Sequence, residues 1–236
     1  MGPLPGTRTR LLSHQSRTVT DMLDARVNKE QIPAVYSRIA PLYDVWAWLT
    51  ERDARDRCLT LAAIQDGEDI LEVAVGTGLT FVRILEANPS GRNEGIDLTP
   101  AMLIRAEQRA ARAGHDGYKL RVGDAFDLPF PDGSFDVLVN NYMFDLLPER
   151  DFIKVLEEFK RVLCPGGRLA MVNMTHGERW YNGIWSRLYR ASPALLGGCR
   201  SVSLLPELQQ IGFRETKREY VSQFTFPSEV VFGLAP

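Results

Sequence analysis

Short apolar runs alternate with longer amphipathic stretches along this chain, which is the pattern of strands followed by helices. The clearest run, 70–75, is apolar enough for a strand that is covered on both faces of a sheet. Further runs predict strands at 94–98, 120–125, 135–139, 169–172, 214–221 and 224–234. Strands that alternate with helices favour an α/β architecture in one layered domain.

Two glycines directly follow the first predicted strand. Gly76 and Gly78 allow a sharp turn and a close approach of the backbone to a ligand. The helix predicted after them begins with free N–H groups, which suit an anionic or polar group. Open α/β sheets bind nucleotide-like ligands at such turns. Because many structural turns also contain Gly-x-Gly, this pair gains weight only from the motifs downstream.

Acidic residues end the next two predicted strands. Asp97 lies about nineteen residues after Gly78, where such folds place the usual acceptor for ribose hydroxyls. Thr99 then suits the N-cap of a helix, and the arginines of that helix, Arg109 among them, are expected on its solvated side. Asp124 ends the third strand, where a turn or helix-cap aspartate is the alternative interpretation.

In order and spacing, these motifs resemble those of the class I S-adenosylmethionine (SAM) dependent methyltransferases. The resemblance covers residues from about 35 to 235 and is closest to the branch of ubiquinone/menaquinone C-methyltransferases and bacterial phospholipid N-methyltransferases. It implies a three-layer, doubly wound α/β sheet of seven mostly parallel strands, with an antiparallel last strand. It also implies SAM as the cofactor and direct in-line transfer of its methyl group to a small-molecule acceptor.

The resemblance assigns a cofactor contact to each motif. Glu72, a charge at the end of a buried strand, is expected to hold the ammonium end of SAM, and Asp97 to accept both ribose hydroxyls; surface carboxylates at strand ends are the alternative. The other implied contacts are Ala74, Gly76, Thr77 and Gly78 along the methionine portion, Leu98 and Met102 around the adenine, and Asp124 with Ala125 at its amino group. The family often has glycine at the position of Ala74, where a small methyl group is expected to be tolerated.

Aromatic and amide side chains are expected to close the site. In the resembled family a tyrosine-containing segment folds over SAM as a lid, which assigns Tyr36 and Tyr43, in a lid at 31–50, to the cofactor. A helix that packs its aromatics on the core is the alternative. After the fourth strand, Asn140 and Asn141 are expected either to contact the methionine end and wall the acceptor pocket, or simply to cap the strand.

The candidate catalytic residues are His176 and Tyr36. A histidine after the fifth strand can remove the proton that an attacking amine, phenol or thiol loses, and a solvent-facing loop histidine is the alternative. Tyr36 belongs to the lid that presses the donor against the acceptor. The aromatic insertion at 174–200 is expected to roof the acceptor pocket, with core packing as the alternative.

The acceptor is therefore expected to be hydrophobic or lipid-like. Phosphatidylethanolamine, a quinone precursor, a thiol and a secondary metabolite all stay open. The stretch 142–146 departs from the Phe-Gly-Leu-Arg-Asn pattern of the quinone methyltransferases. Two other functions also stay open: an NAD-dependent oxidoreductase, although the turn lacks the third glycine of that motif, and a non-catalytic SAM-binding protein.

Composition and charge limit the partners. A net charge of −2 argues against nucleic acid. The chain has no apolar run of about eighteen residues, so no membrane span is expected. Its three cysteines, Cys58, Cys164 and Cys199, are too scattered for a disulfide framework or a metal site, which predicts a cytoplasmic protein without bound metal. The basic tail 1–30, before a domain at 31–236, is either flexible with a short packed helix or an amphipathic helix at an anionic membrane.

Overall fold

The computed structural model describes residues 49–178 and 200–236. Three predicted features lie outside the described residues, so the expectations for them remain predictions. They are the tail at 1–30, the lid residues Tyr36 and Tyr43, and most of the insertion at 174–200. Within the described part of the chain, no helix is long and apolar enough to cross a membrane.

A single sheet of seven strands forms the centre of the fold. Its strands are β1 (Asp69–Val73), β2 (Arg92–Asp97), β3 (Tyr118–Val122), β4 (Phe135–Asn141), β5 (Leu163–Met174), β6 (Arg214–Gln223) and β7 (Phe226–Leu234). Their order across the sheet is β3-β2-β1-β4-β5-β7-β6. β1 to β5 pair in parallel, whereas β7 is antiparallel to both of its neighbours. The predicted doubly wound sheet with an antiparallel last strand is confirmed.

Helices cover both faces of this sheet. They are α1 (Arg52–Ala62), α2 (Leu79–Ala87), α3 (Pro100–Arg112), α4 (Phe152–Val162) and α5 (Leu205–Gln210). The first three pack on one face, and α4 and α5 pack on the other. The central strands β1 and β4 are mostly apolar and buried because both of their faces are covered.

β5 begins earlier than the sequence predicts. The sequence predicts this strand at 169–172, but the strand begins at Leu163 and includes the Pro-Gly-Gly segment before 169. The Gly166 N–H donates to the Ala235 carbonyl, and the Ala235 N–H donates to the Gly167 carbonyl. The end of the chain therefore supplies the partner that extends this strand, and a local pattern does not reveal such a partner.

The glycine turn after β1 sets how α2 packs on α3. Gly78 is the N-cap of α2 and has φ 81°, a left-handed conformation that side chains disfavour. A Cβ atom built on Gly78 would lie 2.8 Å from the Cα of Ala106 in α3. Gly76 also has a positive φ, 57°, but a Cβ atom there would meet nothing within 4 Å. Gly78 thus allows α2 to pack closely on α3, whereas a side chain at Gly76 would enter open space.

These two glycines provide a matched pair for measurement. We expect Gly78→Ala to lower the free energy of unfolding by about 3 kcal/mol, since it combines left-handed strain with overpacking against α3. Gly76→Ala should cost only about 1 kcal/mol, from the strain alone. Urea denaturation of both variants checks this, and equal losses would contradict the packing role of Gly78.

Candidate active site

A cleft opens at the carboxyl ends of β1, β2 and β4, where the chain order reverses across the sheet. It contains about 840 Å³ of empty space, its open mouth included. Its lining contains the predicted cofactor residues Ala74, Gly76, Asp97, Leu98, Met102, Asp124, Ala125 and Asn141. The rest of the wall is mostly apolar and includes Val73, Ile96, Phe126, Tyr142, Met143, Leu146 and Leu147.

Asp97 is fixed by the backbone at the tip of β2. Its Oδ2 accepts the Gly76 N–H at 2.8 Å, and its Oδ1 accepts the Thr99 N–H at 2.8 Å. Burial raises the pKa of the Asp97 carboxyl, and these backbone hydrogen bonds oppose that rise. Each carboxylate oxygen has a further lone pair, so the group can still accept hydroxyl donors from the cleft.

Glu72 lies at the end of β1 with only 1% of its surface exposed. Its Oε1 has a single long contact, 3.5 Å from the Asn141 Nδ2, which also donates to the Thr80 Oγ1 at 3.2 Å. Within the described residues, the Glu72 Oε2 and the Asn141 Oδ1 have no hydrogen-bond partner. Burial raises the Glu72 pKa well above its usual range, which the Asn141 bond and the positive charge of Arg55 oppose. Two buried acceptors thus lie side by side with no donor among residues 49–178 and 200–236.

The third strand leads into a turn that closes on Asp124. The Asp124 Oδ1 accepts the Phe126 N–H at 3.1 Å, and its backbone carbonyl accepts the Asp127 N–H at 3.1 Å. Asp124 therefore holds a turn, as its alternative interpretation expects, and lines the cleft together with Ala125. Leu98 and Met102 line the same wall and provide apolar surface for a flat ring.

Residues 70–167 match a family model described as a methyltransferase domain. A demethylmenaquinone methyltransferase of Thermus thermophilus is 35% identical over 170 residues, which are 70% of this chain and 76% of that protein. The chain belongs to the class I SAM-dependent methyltransferases. Its cofactor is accordingly SAM.

Further relatives agree with this assignment. A demethylmenaquinone methyltransferase of Listeria monocytogenes is 31% identical over 61% of this chain, and the match spans 62% of that protein's length. A solved structure of a SAM-dependent methyltransferase from Aquifex aeolicus has a TM-score of 0.63 at 21% identity, covering 85% of this chain and 98% of that one. At this identity the structural likeness concerns the fold alone.

The residues of this methyltransferase fit an amino-acid cofactor such as SAM. An ammonium group carries three hydrogen-bond donors and a positive charge. Among the described residues, the Glu72 Oε2 and the Asn141 Oδ1 have no such donor. A buried carboxylate without a cation is costly. The unpartnered acceptors therefore suit the ammonium end of SAM, and Asp97 suits a pair of hydroxyls.

Four described residues with a predicted cofactor contact are not in the cleft lining of this methyltransferase. One is Glu72, whose Oε1 lies 3.5 Å from the Nδ2 of the lining residue Asn141; the others are Thr77, Gly78 and Asn140. Gly78 packs against α3, and Thr77 is buried with its carbonyl accepting from the Arg109 Nε at 2.9 Å. Asn140 turns inward, where its Nδ2 donates to the Val73 carbonyl at 2.8 Å. The expectation that Arg109 lies on a solvated face was wrong, because its guanidinium reaches back to hold the glycine turn.

His176 lies just beyond β5 and is exposed. Partial burial of its ring and the nearby charge of Arg218 lower the His176 pKa. It is not part of the described cleft lining, and the insertion that would close over it lies outside the described residues. Its role as a base stays a prediction.

Tyr142 had no role assigned from the sequence, although it directly follows β4. Its φ of 52° is rare for a bulky residue. Its hydroxyl lies 2.8 Å from the Ser228 Oγ, and burial raises its pKa well above the usual range. Strained residues of this kind concentrate at functional sites. The signal in the sequence that could have identified Tyr142 is an aromatic residue directly after a predicted strand.

Asp145 follows in the same turn and is completely buried. Its Oδ2 accepts the Met174 N–H at 3.2 Å, and its backbone carbonyl accepts the Arg200 N–H at 3.0 Å. Burial raises the Asp145 pKa to about 7, an effect opposed by the Met174 hydrogen bond and by Arg200. This acid joins the ends of β4 and β5 and titrates near neutral pH.

The raised pKa of Asp145 makes stability depend on pH. The folded state binds the proton more tightly than the unfolded state, whose aspartates titrate near about 3.9. The wild type should therefore lose stability between pH ~4 and pH ~7 and stay level above. Asp145→Asn removes this titration, so its free energy of unfolding should rise relative to the wild type by on the order of 2–4 kcal/mol across that window.

Urea denaturation between pH 4 and pH 8 measures the difference. The matched control is Asp116→Asn, because Asp116 is exposed. It should follow the wild type at every pH. Parallel curves for Asp145→Asn and the wild type would contradict the raised pKa.

Proposed function

We propose that this methyltransferase acts on a hydrophobic aromatic acceptor of the demethylmenaquinol class, and that the cleft residues described above hold its SAM. The observation that carries the acceptor class is the 35% identity to a demethylmenaquinone methyltransferase over 76% of that protein's length. The apolar wall formed by Met143, Leu146 and Leu147 supports it, since a fused aromatic ring needs apolar surface.

In this proposal, three polar groups orient the cofactor. Glu72 and Asn141 hold the ammonium end, and Asp97 holds the ribose hydroxyls. Leu98 and Met102 pack against the adenine, and Asp124 with Ala125 recognises its amino edge. SAM supplies an electrophilic methyl group bound to a sulfonium, and the thioether released from it is a good leaving group. The protein therefore mainly has to align the acceptor and exclude water.

The acceptor itself must become nucleophilic. A quinol ring carbon attacks well only when a neighbouring hydroxyl has lost its proton, and an aminolipid nitrogen must likewise be unprotonated. The reaction thus needs a group that accepts a proton near neutral pH. His176 was the sequence-based candidate for this role.

Cofactor binding tests the polar contacts. We expect Asp97→Asn and Glu72→Gln each to weaken SAM binding by about 10- to 100-fold, because each removes a hydrogen bond to a charged group worth about 1.5–3 kcal/mol. The control is Glu86→Gln on the exposed side of α2, which should bind as the wild type does. Isothermal titration with SAM and S-adenosylhomocysteine measures this. Unchanged affinity in both variants would place the cofactor elsewhere.

The acceptor class is tested by methyl transfer from labelled SAM. The full chain is incubated separately with reduced demethylmenaquinone and with phosphatidylethanolamine vesicles, and the methylated product is identified by mass spectrometry. We expect transfer to a ring carbon of the quinol at least about 100-fold faster than transfer to the aminolipid, as expected when only one acceptor is correctly oriented. Preferential methylation of the lipid nitrogen would overturn the proposed acceptor.

A further inference from the structure

Three fully buried side chains near the cleft have polar atoms without a hydrogen-bond partner in the described part of the chain. These atoms are the Asn140 Oδ1, both amide atoms of Asn173, and the Asp145 Oδ1, and all three residues have 0% exposure. A buried polar atom without a partner costs about 1–3 kcal/mol, so each one calls for an explanation.

The three residues belong to the carboxyl ends of two neighbouring strands and to the turn that follows the first of them. Asn140 in β4 is in register with Met171 in β5, and Asn173 lies two residues further along β5 on the same face. Asp145 reaches the same strand end, because its Oδ2 accepts the N–H of Met174. Asn140, Asn173 and Asp145 thus form one buried polar strip.

This polar strip lies directly behind the wall of the cleft. The Asn140 Nδ2 contacts the Met143 Sδ at 3.6 Å, and Met143 lines the cleft. On the other side of Asp145, Leu146 and Leu147 line it too. An ordered water needs two to four polar partners, and the unpartnered atoms of the strip supply them.

We propose that Asp145 accepts the proton that the methyl acceptor loses, and that the polar strip connects it to the cleft through an ordered water. The inference rests on the proposed function. The acceptor's O–H bond breaks and its electron pair stays on the oxygen. Its proton passes to the water as the water gives one of its own to the Asp145 Oδ1. The ring carbon would then gain the methyl group as the bond from that methyl to the sulfonium sulfur breaks and its electron pair stays on sulfur. The hydrogen of that ring carbon returns as a proton to the acceptor oxygen. One proton remains on Asp145 and leaves later to solvent.

The charges around Asp145 suit this role. The ionisable groups that act on it are Glu51, just before α1, and Arg200, on the segment that returns to the sheet; Tyr142, in its own turn, senses its charge. Burial and Glu51 raise the Asp145 pKa, whereas Arg200 and the Met174 N–H lower it, giving about 7. A base that titrates near the working pH is the most effective kind.

The pH profile of methyl transfer to reduced demethylmenaquinone tests the inference. For the wild type, kcat/KM should rise with pH and level off above the Asp145 pKa. Asp145→Asn should lower kcat/KM by about 100-fold or more and abolish this rise, because general bases contribute about 10²–10⁴-fold. His176→Gln tests the competing base and should keep the rise at the same pH. A rise retained in Asp145→Asn but lost in His176→Gln would overturn the inference.

Further variants separate proton transfer from folding. Asp145→Asn should bind SAM within about threefold of the wild type, since the amide oxygen can still accept the Met174 N–H. If that variant does not fold, Asn173→Leu serves instead, because it removes the unpartnered atoms without touching Asp145. Its kcat should fall at least about tenfold, consistent with a lost relay, while SAM affinity is kept. An unchanged kcat in Asn173→Leu would overturn the inference.

Failure of the proposed function would be visible separately. If the wild type methylates phosphatidylethanolamine and not the quinol, the proposed acceptor is wrong. The same pH series with the lipid then decides on Asp145, since the lipid ammonium must also lose a proton. If kcat/KM of Asp145→Asn no longer rises with pH, the result would support the inference with either acceptor.

Discussion

Burial of polar side chains at the carboxyl ends of parallel strands is the constraint on which this site depends. Glu72 and Asp97 lie at the ends of β1 and β2, Asp145 follows β4, and all three side chains are buried. Parallel pairing of β1, β2, β4 and β5 brings these ends to one edge of the sheet. Because little water reaches that edge, each group interacts strongly with any charge or dipole placed beside it. The fold thus fixes the electrostatics before any ligand arrives.

The sequence predicted the features that are local in the chain. The strand and helix pattern, the glycine turn and the carboxylate at Asp97 each depend on neighbouring residues, and the structure agrees with these elements. It did not reveal which side chains would turn away from the cleft. Asn140 points back towards Val73 in β1, and Arg109 reaches the carbonyl of Thr77. Both contacts join segments far apart in sequence, so they depend on register and helix packing and not on local pattern.

Backbone strain marks the same edge of the sheet. Ala74 directly follows β1 with φ 61°, and Tyr142 directly follows β4 with φ 52°. β1 and β4 are neighbours, and both residues line the cleft. A left-handed residue turns the chain sharply away from its strand, and for residues with a side chain it costs about 1–2 kcal/mol. Two such turns on adjacent strands separate the segments that follow β1 and β4, where the strand order reverses. The cleft therefore exists partly because the backbone is strained there. A glycine, which the family often has in place of Ala74, would adopt this conformation without that strain.

The opposite edge of the sheet shows that buried amides can be fully satisfied in this fold. Asn88, with 0% exposure, lies near the amino ends of β1 and β2. Its Oδ1 accepts from the Gly67 and Glu68 N–H groups, and its Nδ2 donates to the Glu68 carbonyl and the Asn93 Oδ1.

Asn140 and Asn173 are equally buried at the carboxyl edge, yet some of their amide atoms have no partner among the described residues. Residue type and burial are the same at both edges, so neither explains the difference. What differs is that one edge only has to hold the sheet together, whereas the other surrounds the cleft. A polar group that serves the fold alone finds its partners within the chain, as Asn88 does. Those at the carboxyl edge are better explained by partners that lie beyond the described residues, such as SAM and the proposed water.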